Sequence, residues 1–203
     1  MIRAAQYALA VIQMLLGDGA SFSSGGPGKG LLSRFYTGVM SGSYGIDNVN
    51  SLNLPYSDAG LFAVSLTCEF HVLKRYLDRL ALELASLLYP ANPSYPVQPI
   101  ELSRAKNRLK SAMLYAREDV RVEAEDLGAQ VLMNGYRLPI GDMIQRIDDV
   151  SMTDLQRVAR RVFVDGVGNG ELTIVARGPK EVRGVASMVR SAWRAKGLNT
   201  GSL

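Results

Sequence analysis

Six glycines fall within the fourteen residues from Gly17 to Gly30, Gly-Asp-Gly-Ala-Ser-Phe-Ser-Ser-Gly-Gly-Pro-Gly-Lys-Gly, where Phe22 is the one large apolar side chain. Glycine gives up the most backbone entropy on ordering and Pro27 has no N–H to donate, so a surface loop is expected here, with neither helix nor strand. The flanks, Ala4 to Leu16 and Leu31 to Met40, are apolar and read as helices. A connection of this length without structure of its own is more often functional than accidental. A phosphate-cradling loop is the first chemistry to test, because Gly-Pro-Gly-Lys-Gly precedes a helix. The match fails: Gly30 stands where Ser or Thr would hold magnesium, and the segment before the loop reads as a helix, not a buried strand.

The fold around this loop is expected to be one domain covering residues 1–203, since 47% hydrophobic and 21% charged residues suffice for a full core. The net charge of +4 is spread along the chain without a basic patch, so no nucleic-acid partner is expected. Cys68 is the single cysteine and cannot form an internal disulfide, which fits an inert thiol in a reducing compartment. No apolar run approaches the eighteen residues of a membrane span, and Met1 to Gly17 reads as the first buried helix, not a targeting peptide.

After the loop, Leu31, Leu32, Phe35, Tyr36 and Val39 mark a second helix ending near Gly42. The period then changes to that of strands over Ile46–Leu54 and Leu61–Cys68, joined by turn chemistry at residues 55–60. Leu73, Leu77, Leu80, Leu84 and Leu87 form one helical stripe, with Lys74, Arg75, Asp78, Arg79 and Glu83 assigned to the other faces. Four prolines from Pro90 to Pro99 make a rigid spacer, and Pro99 starts a long helix expected to run to about Asn134, with Leu127 and Val131 on its apolar side. A short helix at Met143–Ile147 leads to Ser151-Met152-Thr153-Asp154, a capping-box start for Leu155, Val158, Val162 and Phe163. Gly166–Gly170 reads as a turn, Leu172–Ala176 as a buried strand, and Val182, Val185, Val189 and Trp193 as a last amphipathic helix. The order points to an α+β domain whose antiparallel or mixed sheet is covered by helices.

The run Ser21 to Tyr36, Ser-Phe-Ser-Ser-Gly-Gly-Pro-Gly-Lys-Gly-Leu-Leu-Ser-Arg-Phe-Tyr, resembles the glycine-rich loop and following helix of the alpha subunits of the mitochondrial processing peptidase. Asn53 to Phe62 and Ser151 to Phe163 resemble the same family, and the likeness extends over nearly the whole chain, as the C-terminal half of such a subunit. The resemblance implies a pitrilysin-like zinc-peptidase domain on the matrix side of the mitochondrial inner membrane. It also implies a beta-type partner subunit carrying the zinc, and kinship with the core subunits of respiratory complex III. By the same resemblance Gly25, Gly26, Pro27, Gly28, Lys29 and Gly30 inherit the binding and release of presequence peptides.

Three departures narrow this expectation. The family's inverted zinc motif, H-x-x-E-H, needs two histidines, and His71 is the only one here, so no catalytic, metal or cofactor residue is assigned and zinc is expected in the partner alone. Active relatives carry a substrate-contacting Arg at about the position of Met40. The family's domain opens with a strand, whereas Met1 leads almost directly into the first helix, so the domain is expected to lack that strand. A separate polypeptide carrying the N-terminal half would supply it; a processed or longer chain gives the same appearance. Two functions stay open: a non-catalytic subunit handling presequences within a complex III core, or a purely structural subunit of a respiratory complex.

Simpler roles compete with the sharper ones at individual residues. His71 reads as a surface histidine at a helix start. Glu118, Asp119, Glu123, Glu125 and Asp126 could attract arginine-rich presequences, but Arg117 and Arg121 among them favour a solvated face of internal ion pairs. Tyr7, Phe35, Phe62 and Trp193 are assigned to packing.

Overall fold

The computed structural model describes residues 2–20, 32–42, 44–56, 59–88, 95–165, 172–178 and 184–198. Its elements are α1 (Ile2–Leu16), β1 (Asp18–Ala20), a π-helical turn (Phe35–Met40), β2 (Ile46–Pro55), β3 (Gly60–Cys68) and α2 (Leu73–Ser86). Then follow α3 (Pro99–Ala116), α4 (Val120–Asn134), α5 (Ile140–Asp148), α6 (Met152–Arg160), a second π-helical turn (Arg161–Asp165) and α7 (Val185–Arg194). The α+β class and the helix-covered antiparallel sheet expected from the sequence are what the chain forms.

Helix α1 lies at the centre because it has almost no polar face. Ala8, Val11, Ile12, Leu15 and Leu16 are buried, and the helix touches α3, α5, α6 and β2. Its partners supply Leu102, Ala105 and Leu109 from α3 and Leu155, Val158 and Ala159 from α6. Each large side chain so buried contributes about 1.5–3 kcal/mol of transfer free energy. On the other side α7 lies against α2, burying Val185, Val189 and Trp193.

The sheet has the order β1-β2-β3 and is antiparallel throughout. In the β2–β3 hairpin Val49 faces Leu66, Ser51 faces Val64 and Asn53 faces Phe62, which fixes Phe62, Val64, Leu66 and Cys68 on the inner face. Phe62 meets Phe163 edge to face, with ring centroids 5.4 Å apart.

Several expectations need correction. The glycine tract is not wholly without strand: Asp18–Ala20 pairs with Asn48–Asn50, because a short edge ladder uses backbone groups and asks little of the side chains. The second helix reaches only Phe35–Met40 as a π-helical turn, and Leu32 is exposed. The long helix after Pro99 is two, since Asp119 accepts from the N–H groups of Arg121 and Val122 and caps a new helix. Leu127 and Val131, expected to face the core, are exposed on α4. Leu172–Ala176 is not a strand among the described residues: Leu172 and Ile174 pack on the core, but no neighbouring strand completes a ladder and Val175 is 90% exposed. The expected turn at Gly166–Gly170 and residue Val182 lie outside the described residues.

Other expectations match the fold closely. Pro99 is the first residue of α3, which is closed by a Gln98–Glu101 capping box. Ser151 and Asp154 form the reciprocal box that starts α6, with Asp154 N–H donating to Ser151 Oγ at 3.1 Å.

Candidate functional site

The residues assigned to presequence handling, Gly25, Gly26, Pro27, Gly28, Lys29 and Gly30, lie outside the described residues, but both flanks of the tract are described. The two flanks meet. Gly17 has φ of 72°, which favours glycine, and a Cβ there would overlap the Cβ and Oγ of Ser33. Gly17 N donates to Gln13 O at 2.7 Å, and its carbonyl accepts from Ser51 Oγ at 3.1 Å, so the entry to the tract is tied to α1 and β2.

The exit is held by Arg34. This guanidinium is 2% exposed and draws together four parts of the chain. Its Nη1 donates to Ser86 Oγ at 2.6 Å and to Glu83 Oε2 at 3.4 Å, both on α2. Its Nη2 donates to the carbonyl of Pro96 at 3.0 Å and to Glu101 Oε2 on α3 at 2.9 Å. The ring of Tyr95 covers it at 4.6 Å from the guanidinium carbon. Arg34 Nε and Ser33 Oγ are buried without a hydrogen-bond partner among the described residues.

One buried cation thus serves two carboxylates. Burial pushes the Glu83 carboxyl up to about 7; Arg34 offsets part of that and the negative charge of Glu101 adds to it. Burial likewise raises the Tyr95 phenol, with Glu83 as the next contributor. Gly38, in the π-helical turn, has no side chain because the Glu83 carboxylate occupies the space a Cβ would take.

Sequence reasoning missed this cluster and placed Glu83 off the leucine stripe, on the other faces of its helix. Its signal was available locally: Tyr76, Leu80, Glu83 and Leu87 also stand at helical spacing, and all four are buried. Arg34 meets its two carboxylates 49 and 67 residues along the chain, and that convergence leaves no local trace.

Three acids of the stretch, Asp119, Glu123 and Asp126, have partners within it or beside it. Arg117 grips Glu123 through Nε and Nη2 at 2.9 and 3.0 Å, Arg137 joins the same carboxylate, and Asp126 accepts from Gln130. His71 is exposed and lies 3.2 Å from Glu69, as a surface histidine before α2. Met40, which the resemblance sets at about the position of a substrate-contacting Arg, is buried in the core. Phe35 and Trp193 are buried, while Tyr7 and Phe62 pack against the core from its edge.

No family model matches the sequence. Against individual proteins the likeness is clear: the chain is 42% identical over 174 residues to the mitochondrial-processing peptidase subunit alpha of Neurospora crassa, covering 83% of this chain and 30% of that protein. The chain is a relative of the alpha subunits of the mitochondrial processing peptidase. A probable subunit of the same name from Schizosaccharomyces pombe is 39% identical over 180 residues, covering 85% of this chain and 34% of its own length. The chain therefore spans about a third of these alpha subunits. Among solved structures, a chain of "Complex III2 from Candida albicans, Inz-5 bound" superposes with a TM-score of 0.63 at 17% identity, covering 77% of this chain and 36% of that one. A conserved protein from Enterococcus faecalis V583 gives 0.59 at 19%, with 77% and 32% covered. These two likenesses are of fold, and they agree with the pitrilysin-like domain expected of an alpha-subunit relative.

Proposed function

We propose that this chain is a non-catalytic alpha-type subunit that handles mitochondrial presequences through the tract Gly25-Gly26-Pro27-Gly28-Lys29-Gly30. The observation that carries this reading is the 42% identity to a processing-peptidase alpha subunit over most of the chain. The geometry supports it in one respect. Gly17 and Ser33 meet at the base of the tract, Gly17 tied to α1 and β2 and the Ser33 carbonyl accepting from Thr37, so the two ends are held together.

In this reading zinc and the hydrolytic chemistry belong to a beta-type partner subunit. The remaining length of an alpha subunit comes from further polypeptide, and the assembly sits on the matrix side of the inner membrane, within a complex III core. The test is photocrosslinking of an arginine-rich presequence peptide to the assembled protein, with and without alanines at residues 25–30. Crosslinks lost in the variant are expected; an unchanged crosslinking pattern would sink the reading.

A second reading, a structural subunit of a respiratory complex without a peptidase role, is favoured by the fold likeness to the complex III chain. Co-purification separates the two. A zinc-bearing beta-type subunit with peptidase activity supports the first, and cytochromes without processing activity support the second.

A further inference from the structure

We propose that Glu83 is a proton-controlled latch on the segment Tyr95–Glu101. With the Glu83 carboxyl protonated, Arg34 serves Glu101 and holds that segment against α2 and the Phe35–Met40 turn; with it ionised, two carboxylates compete for one buried guanidinium and the segment loosens.

The geometry sets up the competition. Arg34 Nη2 lies 2.9 Å from Glu101 while Nη1 stands at 3.4 Å from Glu83, the longer of the two ion pairs. Nη1 spends its shorter contact on the neutral hydroxyl of Ser86, at 2.6 Å, and that hydroxyl donates onward to the Glu83 backbone carbonyl. Glu101 is bound twice, because it also accepts from Gln98 N at 2.7 Å in the capping box that starts α3. The cluster with both carboxylates ionised carries one net negative charge in a site where Arg34 and Glu83 are 2% and 3% exposed, which is a costly state.

Among the described residues Arg34 is the one cation paired with Glu83. The Phe35–Met40 turn presents Gly38 and, next to it, Thr37, whose hydroxyl donates to the Ser33 carbonyl. The segment before α3 presents Tyr95 and the Pro96 carbonyl, and α3 presents Glu101. On α2 itself Arg79 donates to the Val39 carbonyl. Arg190 and Arg194 of α7, the other helix on α2, form no ion pair with Glu83 among the described residues. The carboxyl, held up at about 7 by burial, is positioned to titrate near neutrality.

Amide hydrogen exchange on the full chain, read at Val97, Gln98 and Ile100–Leu102 from pH 5 to 8 and corrected for intrinsic rates, tests this. Opening that solvates Glu83 returns it to an ordinary carboxyl. Protection should therefore fall with rising pH, by up to about tenfold per pH unit between the ordinary carboxylate range and about 7, and level off above. In Glu83→Gln the profile should be flat. In Glu101→Gln, which removes the competing charge, the fall should move to lower pH, and this arm stands even if Glu83→Gln does not fold. A wild-type profile retained in Glu83→Gln, an unmoved midpoint in Glu101→Gln, or an equal pH response in the amides of α6 would each overturn the latch.

Discussion

The carboxylate of Glu83 occupies the volume that a side chain on Gly38 would need. Neither residue stands out alone: one is a glycine inside a helical turn, the other a glutamate on an amphipathic helix. Together they show that the π-helical turn and α2 approach closely enough for Arg34 to reach across to a carboxylate.

Gly38→Ala is expected to cost about 1–3 kcal/mol by overpacking, read as a lowered denaturant midpoint with the slope unchanged. The backbone at Gly38 is not in the left-handed region, so contact with Glu83 is the cause. Glu83→Ala, which empties the space, should therefore couple to Gly38→Ala by more than about 0.5 kcal/mol in a double-mutant cycle. Strict additivity would refute the contact.

Arg34→Met leaves the buried Glu83 and the half-buried Glu101 without a cation and should cost about 3–5 kcal/mol at pH 8. The cost should shrink toward pH 6, because Glu83 can then fold as a neutral acid. Arg34→Lys should recover little, since an ammonium cannot serve Ser86, Pro96, Glu83 and Glu101 from one plane. Thermal unfolding of the three proteins at both pH values measures this.

Gly17 and Gly135 both have left-handed backbones, with φ of 72° and 78°, but a Cβ at Gly135 meets nothing within 4 Å. Alanine at Gly135 should cost only the conformational penalty of about 1–2 kcal/mol. Alanine at Gly17 should cost clearly more, because it also drives into Ser33. Equal destabilisation in urea would show that the two flanks of the tract do not touch.

Asp154 is held at about 2, first by its hydrogen bond with Ser151 and then by Arg157. A depressed carboxyl stabilises the fold above its ordinary pKa and loses that contribution as pH falls toward 2. Ser151→Ala should cost about 1 kcal/mol at neutral pH, and the difference from wild type should narrow in acid. Denaturant titrations at pH 7, 4 and 2.5 check both points.

The parts legible in the sequence are those whose cause is local. The Leu73–Leu87 stripe, the hairpin turn after Pro55, Pro99 at a helix start and the Ser151–Asp154 box each bring their reason within a few residues. The break at Asp119 was also written locally, but an acid-rich helix surface hid the one aspartate that acts as a cap. Leu172–Ala176 has strand composition, yet a strand exists only with a neighbour, and Val175 faces none. The Arg34 cluster required knowing that residues 34, 83 and 101 converge, which no periodicity encodes. The presequence assignment at residues 25–30 came from resemblance to a family, and its geometry lies outside the described residues.

The contact between Gly17 and Ser33 separates two things that usually trade against each other in a loop, its length and the stability of the fold. Because Gly17 and Ser33 make the closure themselves, each doubling of a flexible connection between such ends costs only about 0.6 kcal/mol of closure entropy. Insertions between Ala20 and Ser33 are therefore expected to leave the denaturant midpoint nearly unchanged. The number of residues in the tract is then free to be set by how far it has to reach.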